Sequence, residues 1–364
     1  MSSVKRRPDG KWRARYRDDQ GKEHSKHFPR KTDAQTWLDE VTASVVTGLY
    51  VNPKAGTITF GAFYKDWSAR QVWAPNTTRQ MDQAVEDSKL EDVQLRALRH
   101  SHGEVWVKRQ ASRGLAPRTI STRMQHVRAV LAGAVRDKVI STDPFSNVTL
   151  PRQRKLSAAM RLPTSAEVAK MMAAAKPDFQ VCIALAAFAG LRAGEVAGLQ
   201  LGDIDFLGRR INVQRQHTEH GARPTKCGSE RIVHVPRDLV TLLSAQVARR
   251  KITEPTDWLF VGRHGEPMRQ VLLTARWCHL RDGLELKHLR LHDLRHHYAS
   301  GLIASGCDVV TVARALGHSD AAMTLRVYSH LWPSAEDRTR QAASGLMAAA
   351  FANPADQVRT GEGG

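Results

Sequence analysis

The chain has 364 residues, room for two or three domains with sizeable cores, and carries 55 Lys+Arg against 36 Asp+Glu, a formal net charge of +19. Such an excess points to a polyanionic partner, nucleic acid first, ahead of a merely basic surface, but phosphate neutralisation alone is blind to sequence. Cys182, Cys227, Cys278 and Cys307 lie far apart with no C-x-x-C pair, which argues against a zinc site or a disulfide framework. No apolar run is long enough to cross a bilayer or to form a signal-peptide core, so a cytoplasmic protein with no membrane partner is expected.

The first fifty residues read as a small module. Pro8-Asp9-Gly10 and Asp18-Asp19-Gln20-Gly21 are turn signals around Trp12-Arg13-Ala14-Arg15-Tyr16-Arg17, which alternates at strand period. Three short antiparallel strands are expected, with Arg13, Arg15 and Arg17 on one face and Trp12, Ala14 and Tyr16 on the other. Thr32 or Asp33 is placed to cap a helix carrying Trp37, Leu38 and Val41. The basic face suits a DNA groove, although a solvated edge hairpin would look alike.

Asn52-Pro53-Lys54-Ala55-Gly56 is a linker signal, and from Thr59 to about Leu150 the pattern is helical. Phe60, Phe63 and Trp67 share one stripe, Val105, Trp106 and Arg109 another, and Ile120, Met124, Val127 and Leu131 a third. Each reads as core, and Pro117 suits a first helical turn. Arg79, Lys108, Arg113, Arg118 and Arg123 are then candidate phosphate contacts. The basic stretch from Leu150 to Ser157 reads as an interdomain linker.

A further domain opens at Thr164, whose spacing to Glu167 is that of a capping box. Val181 to Ala189 is apolar on nearly every side and is expected as a buried helix stopped by Gly190. Arg210–Val213 and Arg231–Pro236 read as strands joined by a long polar loop, Trp258–Val261 as another short strand, and the remainder as helix with stops at Gly306 and Gly317. An Ala-rich helix from Arg340 to Ala352 either docks on a neighbouring subunit or lies on its own protomer.

Six polar residues in this half carry chemistry: Arg192, Lys226, His292, Arg295, His318 and Tyr328. A guanidinium fork matches two phosphate oxygens, and two forks can neutralise the charge that builds as phosphorus becomes five-coordinate. His292 and Arg295, three apart on a helix, share a face. Imidazoles titrate near neutrality, so His292 and His318 can donate to phosphate oxygens or move a proton. A free phenol is barely ionised at neutral pH, so Tyr328 as a nucleophile needs a base or a cationic pocket. Tyr298, the rival phenol, reads as core, and Glu195 as a brace for Arg192 or the helix start. His292, His296 and His297 raise a zinc reading, but no Glu follows the first histidine and no third ligand has fitting spacing.

In their contexts, Gly190-Leu191-Arg192-Ala193-Gly194-Glu195, His292-Asp293-Leu294-Arg295, Leu316-Gly317-His318 and Tyr328 after them, these residues resemble the tyrosine recombinase family, particularly phage-type integrases. The match runs roughly from Thr164 to Trp332. The resemblance implies an α+β multidomain chain: a three-stranded sheet plus helix as an arm-type DNA-binding domain (1–55), a helical core-binding domain (58–150), a mainly helical catalytic domain with a small antiparallel sheet (160–345) and a tail (346–364). It assigns Arg192 and Arg295 to phosphate charge, Lys226 to protonation of the departing 5′ oxygen and Tyr328 to nucleophilic attack through a 3′-phosphotyrosyl intermediate. Neither ATP nor any metal or other cofactor is then required. The implied setting is a homo-tetramer on double-stranded DNA attachment sites of a phage or mobile element, near the nucleoid of a bacterial host, with DNA-bending or directionality proteins as further partners. A type IB topoisomerase uses a related set of groups; a degenerate, non-catalytic DNA binder or a metal-dependent nuclease fits the six residues less well.

Overall fold

The computed structural model describes residues 2–17, 21–46, 55–152, 162–225, 229–332 and 335–351. The chain divides into two compact units after residue 156.

In the first unit, β1 (Ser3–Arg6), β2 (Trp12–Arg17) and β3 (Glu23–Phe28) form an antiparallel sheet in that order, with Val4 opposite Ala14 and Ala14 opposite Lys26. Strand alternation sends Ala14 and Tyr16 into a small core with Ala34 and Leu38 of α1 (Lys31–Val46), so Arg13, Arg15 and Arg17 take the other face. Thr32 and Asp33 are not caps, because α1 already begins at Lys31. Asp33 lies in its first turn, where a carboxylate favours the positive end of the helix dipole.

A separate core is built from α2 (Phe60–Ala69), α3 (Pro75–Ser88), α4 (His100–Ser112) and α5 (Pro117–Arg136). Thr59 caps α2 by accepting from the Ala62 amide at 3.2 Å, and prolines open α3 and α5 where no amide partner is needed. Phe60, Phe63, Trp67, Ile120, Met124, Val127 and Leu131 are buried as their spacing predicts. Val105 is not: it is 64 % exposed, and the inward stripe of α4 is Trp106, Val107 and Gln110.

The second unit opens with α6 (Ser165–Ala174), whose Thr164–Glu167 capping box forms in both directions. The apolar α7 (Pro177–Phe188) runs through the core and is followed by the short α8 (Ala193–Ala197). Next come β4 (Ile204–Asp205), β5 (Arg210–Val213), β6 (Arg215–Thr218), β7 (Gly221–Pro224) and β8 (Arg231–His234). β4, β5 and β8 make one antiparallel sheet. The expected long polar loop instead folds as a β6–β7 hairpin, register-paired from Arg215 opposite Pro224 to Thr218 opposite Gly221. The helices α9 (Arg237–Arg250), α10 (Gln270–Gly283), α11 (Leu291–Ala304), α12 (Val309–Leu316), α13 (Ala321–Tyr328) and α14 (Ala335–Phe351) follow. Among the described residues Trp258–Val261 makes only isolated bridges at its ends, to Gln200 and Pro267. Its adjacent Leu259 and Phe260 are both buried, which is a core plug and not an alternating strand. α14 spans the expected boundary at residue 345 and stays exposed along its described side chains, Leu346, Met347 and Phe351 included.

Candidate active site

The site is organised by two chain reversals at glycines. The first follows α7. Gly190 has φ +66°, and a Cβ there would lie 2.4 Å from the Tyr298 ring, so only glycine allows both the turn and the close approach of α11. Leu191 is then buried, and Arg192 stands at the start of α8, its amide donating to Glu195 Oε2 at 2.8 Å.

Glu195 is 3 % exposed and collects two guanidiniums. Arg192 Nη1 donates to Oε1 at 2.7 Å, while Arg231 donates through Nη1 at 3.1 Å and Nη2 at 2.8 Å. Burial pushes this carboxyl up, but the bidentate Arg231 and then Arg192 outweigh it and hold it below its ordinary value. The sequence-based expectation of Glu195 as a brace is met in this geometry.

The second reversal is Gly317, with φ +62°, at the end of α12. A Cβ there would lie 2.9 Å from Arg231 Cδ. The last carbonyls of a helix lack partners and carry its negative dipole end. Here three arginines supply the partners: Arg231 Nε donates to Ala315 O at 3.0 Å, Arg295 Nη2 donates to Leu316 O, and Arg192 Nη2 reaches Gly317 O at 3.4 Å. Arg295 also donates from Nη1 to Gly190 O at 2.5 Å, tying the two reversals together. It is 2 % exposed, and burial followed by the charges of Arg192 and Arg231 brings its pKa down to about 9.

His318 follows directly, its Nδ1 hydrogen-bonded at 2.8 Å to the buried Thr324 hydroxyl, which fixes the ring. Burial, then Arg295, Arg192 and Arg231, bring its pKa down to about 4. His292 starts α11 with part of its surface open, yet desolvation of its ring, then the adjacent His296 and the guanidiniums of Arg295 and Arg192, bring its pKa down to about 4. Both rings are therefore neutral at pH 7, and an arriving phosphate would raise both values.

Tyr328 ends α13 and is 2 % exposed. Its Oη lies 2.5 Å from His296 Nδ1, and His296 in turn meets His292 edge to face at 4.8 Å between ring centroids. Burial pushes the phenol up to about 12, with Arg295 pulling the other way. The cationic surroundings expected to activate this oxygen thus do not overcome its burial. Tyr298 is only half-buried, wedged against Gly190 beside the α11–α12 core.

Lys226 lies outside the described residues. After it, Ser229 Oγ accepts from Arg192 Nη1 at 3.3 Å. His297 Nδ1 lies 2.9 Å from Pro163 O, turned to another partner than His292 and His296. Among the described residues, no three His, Cys, Asp or Glu side chains gather as metal ligands.

Two residues beyond the expected six enter the site, Arg231 and His296. Arg231 had a signal: it is in phase with the buried Val233 and Val235, whereas Ile232 points out. The His296–Tyr328 bond, 32 residues apart, had none.

The candidate DNA contacts divide. Arg79, Lys108 and Arg118 are exposed, and Arg17 is exposed at the end of β2, while Arg15 pairs with Glu23 at 3.4 Å and the Nε of Arg13 is buried without a partner among the described residues. Arg113 and Arg123 both grip Asp87, and Arg123 also donates to Gln110 at 2.9 Å, so these two cations first serve to join α3, α4 and α5.

A family model for the phage integrase family matches residues 162–334, and one for the N-terminal domain of phage integrases matches residues 2–47. The chain belongs to the phage integrase family. It is a tyrosine-type site-specific recombinase. Tyrosine recombinase XerC of Bacillus subtilis is 29 % identical over 60 % of this chain and 72 % of its own. The ICEBs1 integrase of the same organism is 27 % identical over 61 % of this recombinase and 64 % of its own length. In fold, the recombinase is similar to the Tn1549 transposon integrase in complex with a circular intermediate DNA, with TM-score 0.68, 21 % identity and coverage of 79 % of this chain and 99 % of that one. It is also similar to a lambda integrase tetramer bound to a Holliday junction, with TM-score 0.57, 15 % identity and coverage of 87 % and 96 %.

Proposed function

We propose that this recombinase cuts and rejoins double-stranded DNA at the attachment sites of a phage or other mobile element, using Tyr328 as nucleophile. The observation that carries this reading is the convergence of Arg192, Arg295, His318 and Tyr328, from four separate stretches of chain, around the C-terminal end of α12.

Tyr328 Oη attacks the scissile phosphorus, giving a 3′-phosphotyrosyl link and a free 5′ hydroxyl, and a 5′ hydroxyl from a second duplex reverses the attack. Bond energy stays in the covalent link. Arg192, with part of its fork facing solvent, receives the phosphate, and Arg295, which among the described residues gives two of its five N–H donors to backbone carbonyls, keeps three for it. His318 donates from Nε2, the nitrogen opposite its Thr324 bond. Lys226, three residues before the Ser229 hydroxyl that accepts from Arg192, protonates the departing 5′ oxygen. Because Tyr328 is sheltered, cleavage requires DNA binding to uncover it. We assign residues 1–55, 58–150 and 160–345 to arm-type binding, core-site binding and catalysis, and a tetramer on two sites as the working assembly, in bacterial cytoplasm and with DNA-bending accessory proteins.

Tyr328→Phe removes only the nucleophilic oxygen. On a nicked suicide substrate the wild type should give a covalent protein–DNA band and the variant none, with DNA binding nearly unchanged. A persistent band in the variant would move the nucleophile to another residue, Tyr298 first.

A further inference from the structure

The phenol that attacks phosphorus must lose its proton, and three imidazoles stand near enough to be considered. His318 has its Nδ1 occupied by Thr324. His292 makes its contact with His296. His296 alone touches the phenol: among the described residues it is the hydrogen-bond partner of Tyr328, with Nδ1 and Oη 2.5 Å apart and the rings inclined at 62°.

We propose that His296 is the catalytic base of the nucleophile, accepting the Tyr328 proton at Nδ1 as Oη bonds to phosphorus. The proposal rests on the reading of Tyr328 given above. In the forward step the O–H bond of Tyr328 breaks and its proton passes to Nδ1. The Oη–P bond forms, the P–O5′ bond breaks, and the departing oxygen takes its proton from a separate donor. Rejoining runs in reverse, with His296 returning its proton to the phenol oxygen.

Three features of the surroundings fit this role. His296 is half-buried on α11, where the core below fixes the helix, so its position does not depend on a loop. The groups facing it are Arg290 at the cap of α11, His292, Asp293 and Arg295 within that helix, Tyr328 of α13 and His318 after α12. Burial and Arg295 keep the ring neutral and able to accept, while Asp293 favours the imidazolium once it forms. His292, in edge-to-face contact with it, holds the ring in place from the solvent side of α11.

The test compares His296→Ala and His296→Asn with the wild-type full chain on a suicide substrate, measuring the rate of covalent adduct formation from pH 6 to pH 9 or so. Asparagine keeps a hydrogen-bond acceptor close to the Nδ1 position but cannot take the proton. Both variants should bind DNA normally, cleave about 10²- to 10⁴-fold more slowly near neutrality, and recover as hydroxide replaces the missing base. If His296→Asn restores the wild-type rate, His296 only positions the phenol and the proposal fails. Cleavage by either variant as fast as or faster than wild type would also overturn it, the faster outcome marking the bond as a latch that holds the nucleophile back. Should the alanine variant fold poorly, the asparagine variant carries the test. Absence of any adduct with the wild type would instead refute the assignment of the nucleophile.

Discussion

Removing the Glu195 carboxylate should be the most damaging single change in the site that leaves every phosphate-binding group in place. The carboxylate and the Arg231 guanidinium are both nearly excluded from water, at 3 % and 5 % exposure. Glu195→Ala deletes the acceptor for the Arg192 amide, for Arg192 Nη1 and for both Nη atoms of Arg231. Among the described residues Arg231 would keep only the carbonyls of Ala315 and Ser229 as partners, leaving its charge uncompensated in the interior. Stranding one member of a buried ion pair costs about 3–5 kcal/mol. For a unit of this size that is a fall in Tm of roughly 6–20 °C, at about 2–4 °C per kcal/mol. Calorimetry separates the transition of the second unit from that of the first, which should not move. The double variant Glu195→Ala/Arg231→Met should lose less than the single one, because the stranded charge is gone. The gap between wild type and variant should also close in acid. With its folded value depressed, Glu195 contributes fully above its ordinary value of 4.5, and that contribution is lost as pH falls through the folded value. A loss below about 1 kcal/mol, or a double variant worse than Glu195→Ala alone, would refute the stranded Arg231 charge as the source of the cost.

Arg118 and Arg123 lie five residues apart on one helix and should behave differently. Arg118→Ala should leave stability within about 0.5 kcal/mol of wild type while lowering the salt slope of DNA binding by about one. Arg123→Ala strips Asp87 and Gln110 of a shared donor and should cost about 1–3 kcal/mol in thermal melts of the first unit. Deleting residues 1–52 should spare cleavage at the core site but erase protection of outlying sites in footprints and flatten the salt dependence. Identical footprints and slopes would remove the N-terminal sheet as a second DNA reader.

What could be read in advance from the chain was whatever has a short period or a local cap. The β2 alternation, the α5 stripe and the Thr164 capping box each depend on residues within a turn or two of one another, and each formed as expected. The failures share a cause. Val105 has the right spacing but faces solvent, since hydrophobic period cannot say which of two adjacent apolar residues turns inward. Trp258–Val261 is apolar enough for a strand, yet strand pairing needs an edge to join, and the chain there offers only single bridges.

At the site, residue types could be read from the sequence and their commitments could not. Arg192, Arg295 and Arg231 are three cations that would repel one another in water. They are held together because a buried carboxylate and the unpaired carbonyls ending α12 supply the opposite charge. That arrangement exists only once α7, α8, α11 and α12 have packed. It also explains why the same arginines can serve an anion from outside: the protein uses dipoles and one carboxylate, fewer full negative charges than cations, and so leaves a net positive pocket. A phosphate entering it completes the charge balance that the fold itself leaves open. The Tyr328 shelter follows the same logic from the other side, since a phenol kept neutral and hydrogen-bonded to His296 adds no charge to the pocket until the substrate is present.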